Sequence, residues 1–200
     1  MVAEPEPDRT AIAILDAALR VLVDFGVKRA TVELVAKYAG VSHMTVYRRW
    51  PAKNELLLTA VMTEFRRLFT DVYDEARALD SFDDKVVTGF TGILWCIKSH
   101  PLMARELATE PEVVMPFLTT ASGPAMDMAI AFGAENLRRA AKAEGLVLSD
   151  PVALAEVLVR LAHSLLLAPR PEASLQTQAD VADYARRYIL PLARSSAVSA

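Results

Sequence analysis

With 200 residues, 53% of them hydrophobic, and a positive mean hydropathy, the chain can bury a sizeable core, as one domain or as a small domain joined to a larger one. The net charge is −3, and the single cysteine, Cys96, excludes an intramolecular disulfide, argues against a cysteine-based metal cluster and agrees with a reducing compartment. No apolar run reaches the roughly 18 residues of a membrane span, and the acidic, proline-bearing start is unlike a secretory signal, so the expectation is a cytoplasmic protein with no membrane partner.

In chain order, Ile12, Leu15, Leu19, Leu22 and Val23 predict a first amphipathic helix from about Asp8 to Phe25, closed by Gly26. Thr31 is placed to cap a second helix bearing Val32, Val35 and Ala36, and Gly40 permits a left-handed exit. Val41 turns inward. Ser42 then caps a third helix, His43 to about Arg49, which carries the hydroxyls of Thr45 and Tyr47 and the charges of Arg48 and Arg49. Trp50-Pro51 stops it. Two short helices joined at a glycine and ending in such side chains form a helix-turn-helix signature.

A long helix follows from about Lys53 to Leu79, with Asn54 as its candidate cap and Leu57, Val61, Phe65, Leu68 and Val72 along one face. Further helices are predicted over 82–99, 101–109, 111–120, 124–144, 150–168 and 174–194, with no strand alternation and no hairpin turn. The fold class is therefore all-α: an N-terminal three-helix DNA-binding head over 1–52, joined by the long helix to a helical bundle over 53–200. Charge follows that division. Residues 20–60 hold seven basic and three acidic side chains, whereas residues from 61 onward hold fourteen basic and eighteen acidic. A basic head on an acidic body suits a DNA reader.

Catalytic and metal readings find little support. Neither His100 nor His163 has a histidine or glutamate at chelating spacing, and Cys96 and His100 straddle a predicted helix end. There is no nucleophile elbow, and glycine is too sparse for a phosphate cradle. The expectation is no enzyme, no metal and no cofactor.

Within the body, Met103, Met115, Met126 and Met128 lie in one stretch with Phe117 and Phe132, following Phe90, Leu94 and Trp95. Such side chains can line an adaptable apolar cavity or fill a core. Phe90, Leu94, Trp95, Met103, Phe117, Met126 and Phe132 are the candidate pocket residues, with His100, Arg105 and Glu106 as polar anchors. From Pro151 to Ala168 only Glu156, Arg160, His163 and Ser164 are polar, so that helix must be covered on more than one side. Glu156 and Arg160 are spaced for an ion pair, with His163 one turn on. Leu154, Leu158, Leu161 and Leu165, with Val181, Tyr184 and Tyr188 of the last helix, either close the monomer core or form a dimer interface.

The order Gly26, Thr31, Ala36, Gly40-Val41-Ser42, Thr45-Val46-Tyr47, Trp50, Lys53 and Leu56-Leu57 resembles the DNA-binding domain of the TetR family of bacterial transcriptional regulators. The resemblance implies that Thr31, Thr45, Tyr47 and Lys53 hold DNA phosphates, with Ser42 at the helix start and Arg49 as a further phosphate clamp. It places His43, Met44 and Arg48 against base edges, where Arg48 can donate two hydrogen bonds to a guanine. Met44 departs from the small residue of many relatives, and Glu33 from a basic or polar one; Glu33 is read as solvent-facing. The resemblance further implies a homodimer through the last two helices and a hydrophobic small-molecule effector that releases a repressor from a palindromic operator. The competing readings are an effector-independent architectural DNA-binding protein and a helical small-molecule binder with a vestigial head.

Overall fold

The computed structural model describes residues 8–168 and 175–199. Asp8 opens the first element, its carboxylate accepting the Ala11 N–H at 3.1 Å and capping α1 (Arg9–Phe25). The buried face of α1 is Ile14, Ala17, Ala18, Val21 and Leu22, which shares only Leu22 with the expected stripe: Ile12 is 47% exposed, and Leu15, Leu19 and Val23 are only partly covered. Two alanines let α2 approach the α1 backbone closely, a contact that a pattern of large apolar residues does not reveal.

Thr31 caps α2 (Val32–Ala39), its hydroxyl accepting the Leu34 N–H at 3.2 Å. Gly40 ends α2 in the left-handed conformation at φ 68°, and Ser42 starts α3 (His43–Arg49) by accepting the Thr45 N–H at 3.2 Å. Val35 and Val46 are fully buried between these helices, and Val41 packs against the same core. α4 (Lys53–Arg77) begins one residue before the expected cap, so Asn54 lies inside the helix.

The chain divides into two compact units, Met1–Arg67 with Pro101–Val113, and Leu68–His100 with Val114–Ala200. This division differs from a boundary at 52/53 in two ways. Leu56, Leu57 and Ala60 of α4 belong to the core of the first unit, and so does Leu102 of α6 (Pro101–Thr109). The chain thus leaves the first unit along α4 and returns to it for α6.

The second unit comprises the rest of α4, α5 (Phe82–Lys98), most of α7 (Pro111–Leu118), α8 (Gly123–Ala143), α9 (Pro151–Leu167), α10 (Gln178–Tyr184) and α11 (Leu190–Ser195). Phe82, Phe90, Leu94, Leu137, Leu154 and Ile189 anchor its core. Ser81 caps α5 and Asp150 caps α9, while Thr177 and Asp180 form a reciprocal capping box on α10.

The expected last helix is interrupted. Ala185–Ile189 form a π turn between α10 and α11, just before Pro191, which has no N–H to donate back up the helix. The all-α reading also missed one pair of strands: Leu146–Leu148 (β1) and Ala197–Ser199 (β2) pair antiparallel, with Val147 opposite Val198. Gly145, at φ 67°, turns the chain out of α8 into β1. The class remains helical, since this ladder only ties the end of the last helix to the α8–α9 connection.

Candidate nucleic-acid interface and body cavity

The short α3 is held from below by Val46, which is fully buried, and its other side chains follow from that anchor. His43, Met44, Tyr47 and Arg48 are exposed, with Met44 at 65% and Tyr47 at 39%. The His43 and Tyr47 rings, one helical turn apart, meet edge to face with centroids 6.4 Å apart. Ser42 and Thr45 share a hydroxyl contact of 2.9 Å at the helix start. Thr31 and Glu33 are exposed on α2, as expected for a solvent-facing Glu33. One face of α3 thus offers a thioether, an imidazole, a phenol and a guanidinium to solvent.

Two basic residues have partners that the sequence alone did not suggest. Arg49 forms a two-point ion pair with Asp8, at 2.5 and 3.2 Å, joining the end of α3 to the start of α1. Its Nε is buried without a hydrogen-bond partner, so Arg49 serves here as a strut between helices rather than as an open phosphate clamp. Lys53 is half-buried and donates to the Ala30 carbonyl at 3.1 Å, tying α4 to the residue before the Thr31 cap. Arg48 carries no carboxylate partner among the described residues.

In the first unit, α6 docks on the end of α1. Arg105 donates to the Val23 carbonyl at 2.5 Å, and Lys28 pairs with Glu112 at 2.6 Å and Glu110 at 3.7 Å. Glu106 is only 1% exposed, and neither carboxylate oxygen has a hydrogen-bond partner. Arg105 and Glu106 therefore belong to the first unit and do not anchor a body pocket. His100, just before α6, is buried and is not among the residues that line the cavity described below.

The second unit contains a cavity of about 190 Å³. It lies among α4, α5, α8 and α9 and exists because small residues face one another there: Gly89, Gly133, Ala140, Ala155 and Ala162. Of the six candidate pocket residues whose side chains are described, only Phe90 lines it. Leu94 is core and Trp95 packs against that core. Met103 lies in the first unit. Met126 is half-buried away from the cavity, and Phe132 packs its ring on Phe69 and Tyr73. The side chain of Phe117 lies outside those described. The legible signal was the Gly133, Leu137, Ala140 spacing on α8 facing Ala155, Leu158 and Ala162 on α9, which a search for methionines and aromatics passes over.

Burial pushes the Tyr73 phenol at the cavity wall up to about 12, with the nearby Cys96 adding to it. Burial likewise raises the Cys96 thiol to about 11. Neither group ionises near neutral pH. Among the described residues no group of three His, Cys, Asp or Glu side chains is arranged to hold a metal ion, and no helix is long and apolar enough to cross a membrane.

The expected dimer residues divide between two environments. Leu154, Leu158 and Val181 are buried in the core of the second unit, Leu161, Leu165 and Tyr184 are half-buried against it, and Tyr188 is 53% exposed. Besides Tyr188, the exposed large apolar side chains of these helices are Val152, Val157 and Leu192. Glu156 and Arg160 pair at 2.6 Å as expected, but His163 turns away from them, its Nε2 lying 2.6 Å from the Leu118 carbonyl.

Residues 14–60 match a family model described as bacterial regulatory proteins, tetR family. An uncharacterized HTH-type transcriptional regulator of Mycobacterium tuberculosis is 46% identical over 55 residues, 28% of this chain and 27% of the relative's length. Among solved structures, the TetR family repressor AlkX from a Dietzia strain is 19% identical and superposes with a TM-score of 0.70, covering 93% of this chain and 96% of its own. The repressor QsdR of R. erythropolis, from the same family, is 22% identical with a TM-score of 0.67, covering 97% of each chain. At these identities the structural matches are likenesses of fold.

Proposed function

From the premise that this chain belongs, through residues 14–60, to the tetR family of bacterial regulatory proteins, we propose that it is a DNA-binding transcriptional regulator acting as a homodimeric repressor. A hydrophobic small molecule held in the body releases it from a palindromic operator. The observation that carries this reading is the exposed turn of α3. Gly40 and Ser42 fix its start, Val46 anchors it, and His43, Met44, Tyr47 and Arg48 project from it. A helix of seven residues reaches few bases, so two copies related by a two-fold axis are needed to read a useful length of duplex. Val152, Val157, Tyr188 and Leu192 supply apolar surface for that pairing. Thr31, Thr45, Tyr47 and Lys53 supply hydroxyls and a cation for phosphates, and Arg48 reads a base edge.

The 190 Å³ cavity supports the effector half of the proposal. It is somewhat larger than the ~150 Å³ engineered cavity that accepts a benzene ring. A ligand there represses or relieves only if it binds one arrangement of the protein more tightly than the other. The chain passes between the units within α4, at the junction of α5 and α6 and within α7, and these are the covalent routes by which a change in the second unit reaches the first.

The test is a mobility shift with the DNA flanking the gene, at several salt concentrations. Arg48→Ala is expected to weaken binding by about 1–3 kcal/mol and to relax preference at one base position. Val157→Asp is expected to shift sedimentation toward monomer and to abolish the shift. Absence of any specific shift at moderate salt, with a preparation verified as dimeric, would overturn the regulator reading.

A further inference from the structure

Among the described residues, the charged side chains that line the body cavity are all cations: Arg77 from α4, Lys85 from α5 and Arg139 from α8, with no carboxylate among them. The partners of these cations lie elsewhere: Arg77 pairs with Asp74 and Arg139 with Glu135, one turn back on their own helices, while Lys85 reaches the Asp80 carbonyl at 3.4 Å. These pairs are solvent-exposed, with both arginine side chains 56% accessible, so exchange of partner costs little. The interior is otherwise apolar, walled by Val86, Phe90, Leu137 and Leu158, each at most 9% exposed. Two polar groups remain within it. The Tyr73 phenol stays protonated as a donor, and Asn136 gives its amide N–H to the Phe132 carbonyl at 2.8 Å.

An apolar chamber whose charged lining is entirely positive selects for a ligand with two ends. We propose that the cavity takes an anionic amphiphile, its hydrocarbon tail among Phe90, Leu137 and Leu158 and its carboxylate or phosphate head against Arg77, Lys85 and Arg139. This rests on the effector reading above and adds to it the chemical class of the ligand. A neutral or cationic molecule with the same tail loses the head-group contacts and, if cationic, meets three like charges.

Isothermal titration of the purified full-length chain with octanoate, octyl phosphate, 1-octanol and octylamine tests the assignment. Octanoate or octyl phosphate is expected to bind about fivefold or more tightly than 1-octanol, with octylamine weakest. Whichever of the two anions binds more tightly identifies the head group. In a Lys85→Gln/Arg139→Gln variant the preference should shrink to within about twofold while 1-octanol binding is kept. Ala140→Leu, which fills the cavity from α8, should remove binding of every probe without lowering the melting temperature. If 1-octanol equals or exceeds both anions in the unmodified protein, the head-group assignment falls and the cavity reading stands. If no probe binds, or if Ala140→Leu leaves binding unchanged, the cavity reading falls with it.

Discussion

Glu106 is a buried carboxylate in the first unit, and replacing it with methionine is a direct measure of what that burial costs. The side chain is 1% exposed on α6, and neither oxygen has a hydrogen-bond partner. A Cβ placed on Gly26, the cap that ends α1, would lie 3.0 Å from its Oε1, so the carboxylate sits against the negative end of that helix. Burial raises its pKa above the ordinary value of 4.5; the Val27 backbone N–H, which faces the carboxylate without reaching hydrogen-bond geometry, opposes this, and the Glu110 charge reinforces it. The folded protein therefore binds this proton more tightly than the unfolded chain does. Stability falls as pH rises from about 4.5 through the folded value and is level above it. A buried, unsatisfied polar group costs about 1–3 kcal/mol, and methionine matches the length of glutamate without its charge. Glu106→Met should thus stabilise the first unit by about 1–3 kcal/mol at pH 7.5 and by distinctly less at pH 4. Urea unfolding in a Trp95→Phe background isolates the signal, because Trp50 then reports on the first unit alone. Destabilisation at both pH values would refute the reasoning, since it would mean that the carboxylate makes a favourable interaction.

Two further outcomes test the architecture. Asp8→Ala removes both the α1 cap and the Arg49 partner, and is expected to cost about 1–2 kcal/mol, whereas Arg49→Gln costs less than about 1 kcal/mol. A double-mutant cycle on urea stability should give a coupling of about 0.2–1 kcal/mol, and DNA affinity of Asp8→Ala should rise if the freed Arg49 turns to phosphate. Gly92→Ala places a Cβ 2.5 Å from Val72 Cγ1, and is expected to destabilise the second unit by about 1–3 kcal/mol, read as a lower melting temperature.

Much of the DNA-binding head was legible in the linear sequence because its determinants are local. Thr31 and Ser42 cap through amides three residues ahead, and Gly40 turns left-handed where only a residue without Cβ does so at no cost. An exposed Arg48 follows from helical spacing once Val46 is placed inside. Arg49 shows where that reasoning stops: its partner is 41 residues away on the chain, and nothing in the spacing of α3 distinguishes it from Arg48.

In the body the sequence determined that helices form, since capping residues and apolar periodicity act within a turn or two. Which faces meet, and where they fail to fill space, was decided only by tertiary packing. Met126 and Phe132 looked suited to a pocket, yet the cavity opens where Gly89, Gly133, Ala140 and Ala155 oppose one another across three helices, because a void is made by absent side chains on several elements at once. The same holds for Leu154, Leu158 and Val181, whose hydrophobicity fits a dimer seam or a core equally well until the neighbouring helices are in place. β1 and β2 illustrate it most simply: each is three residues long, and neither is a strand without the other.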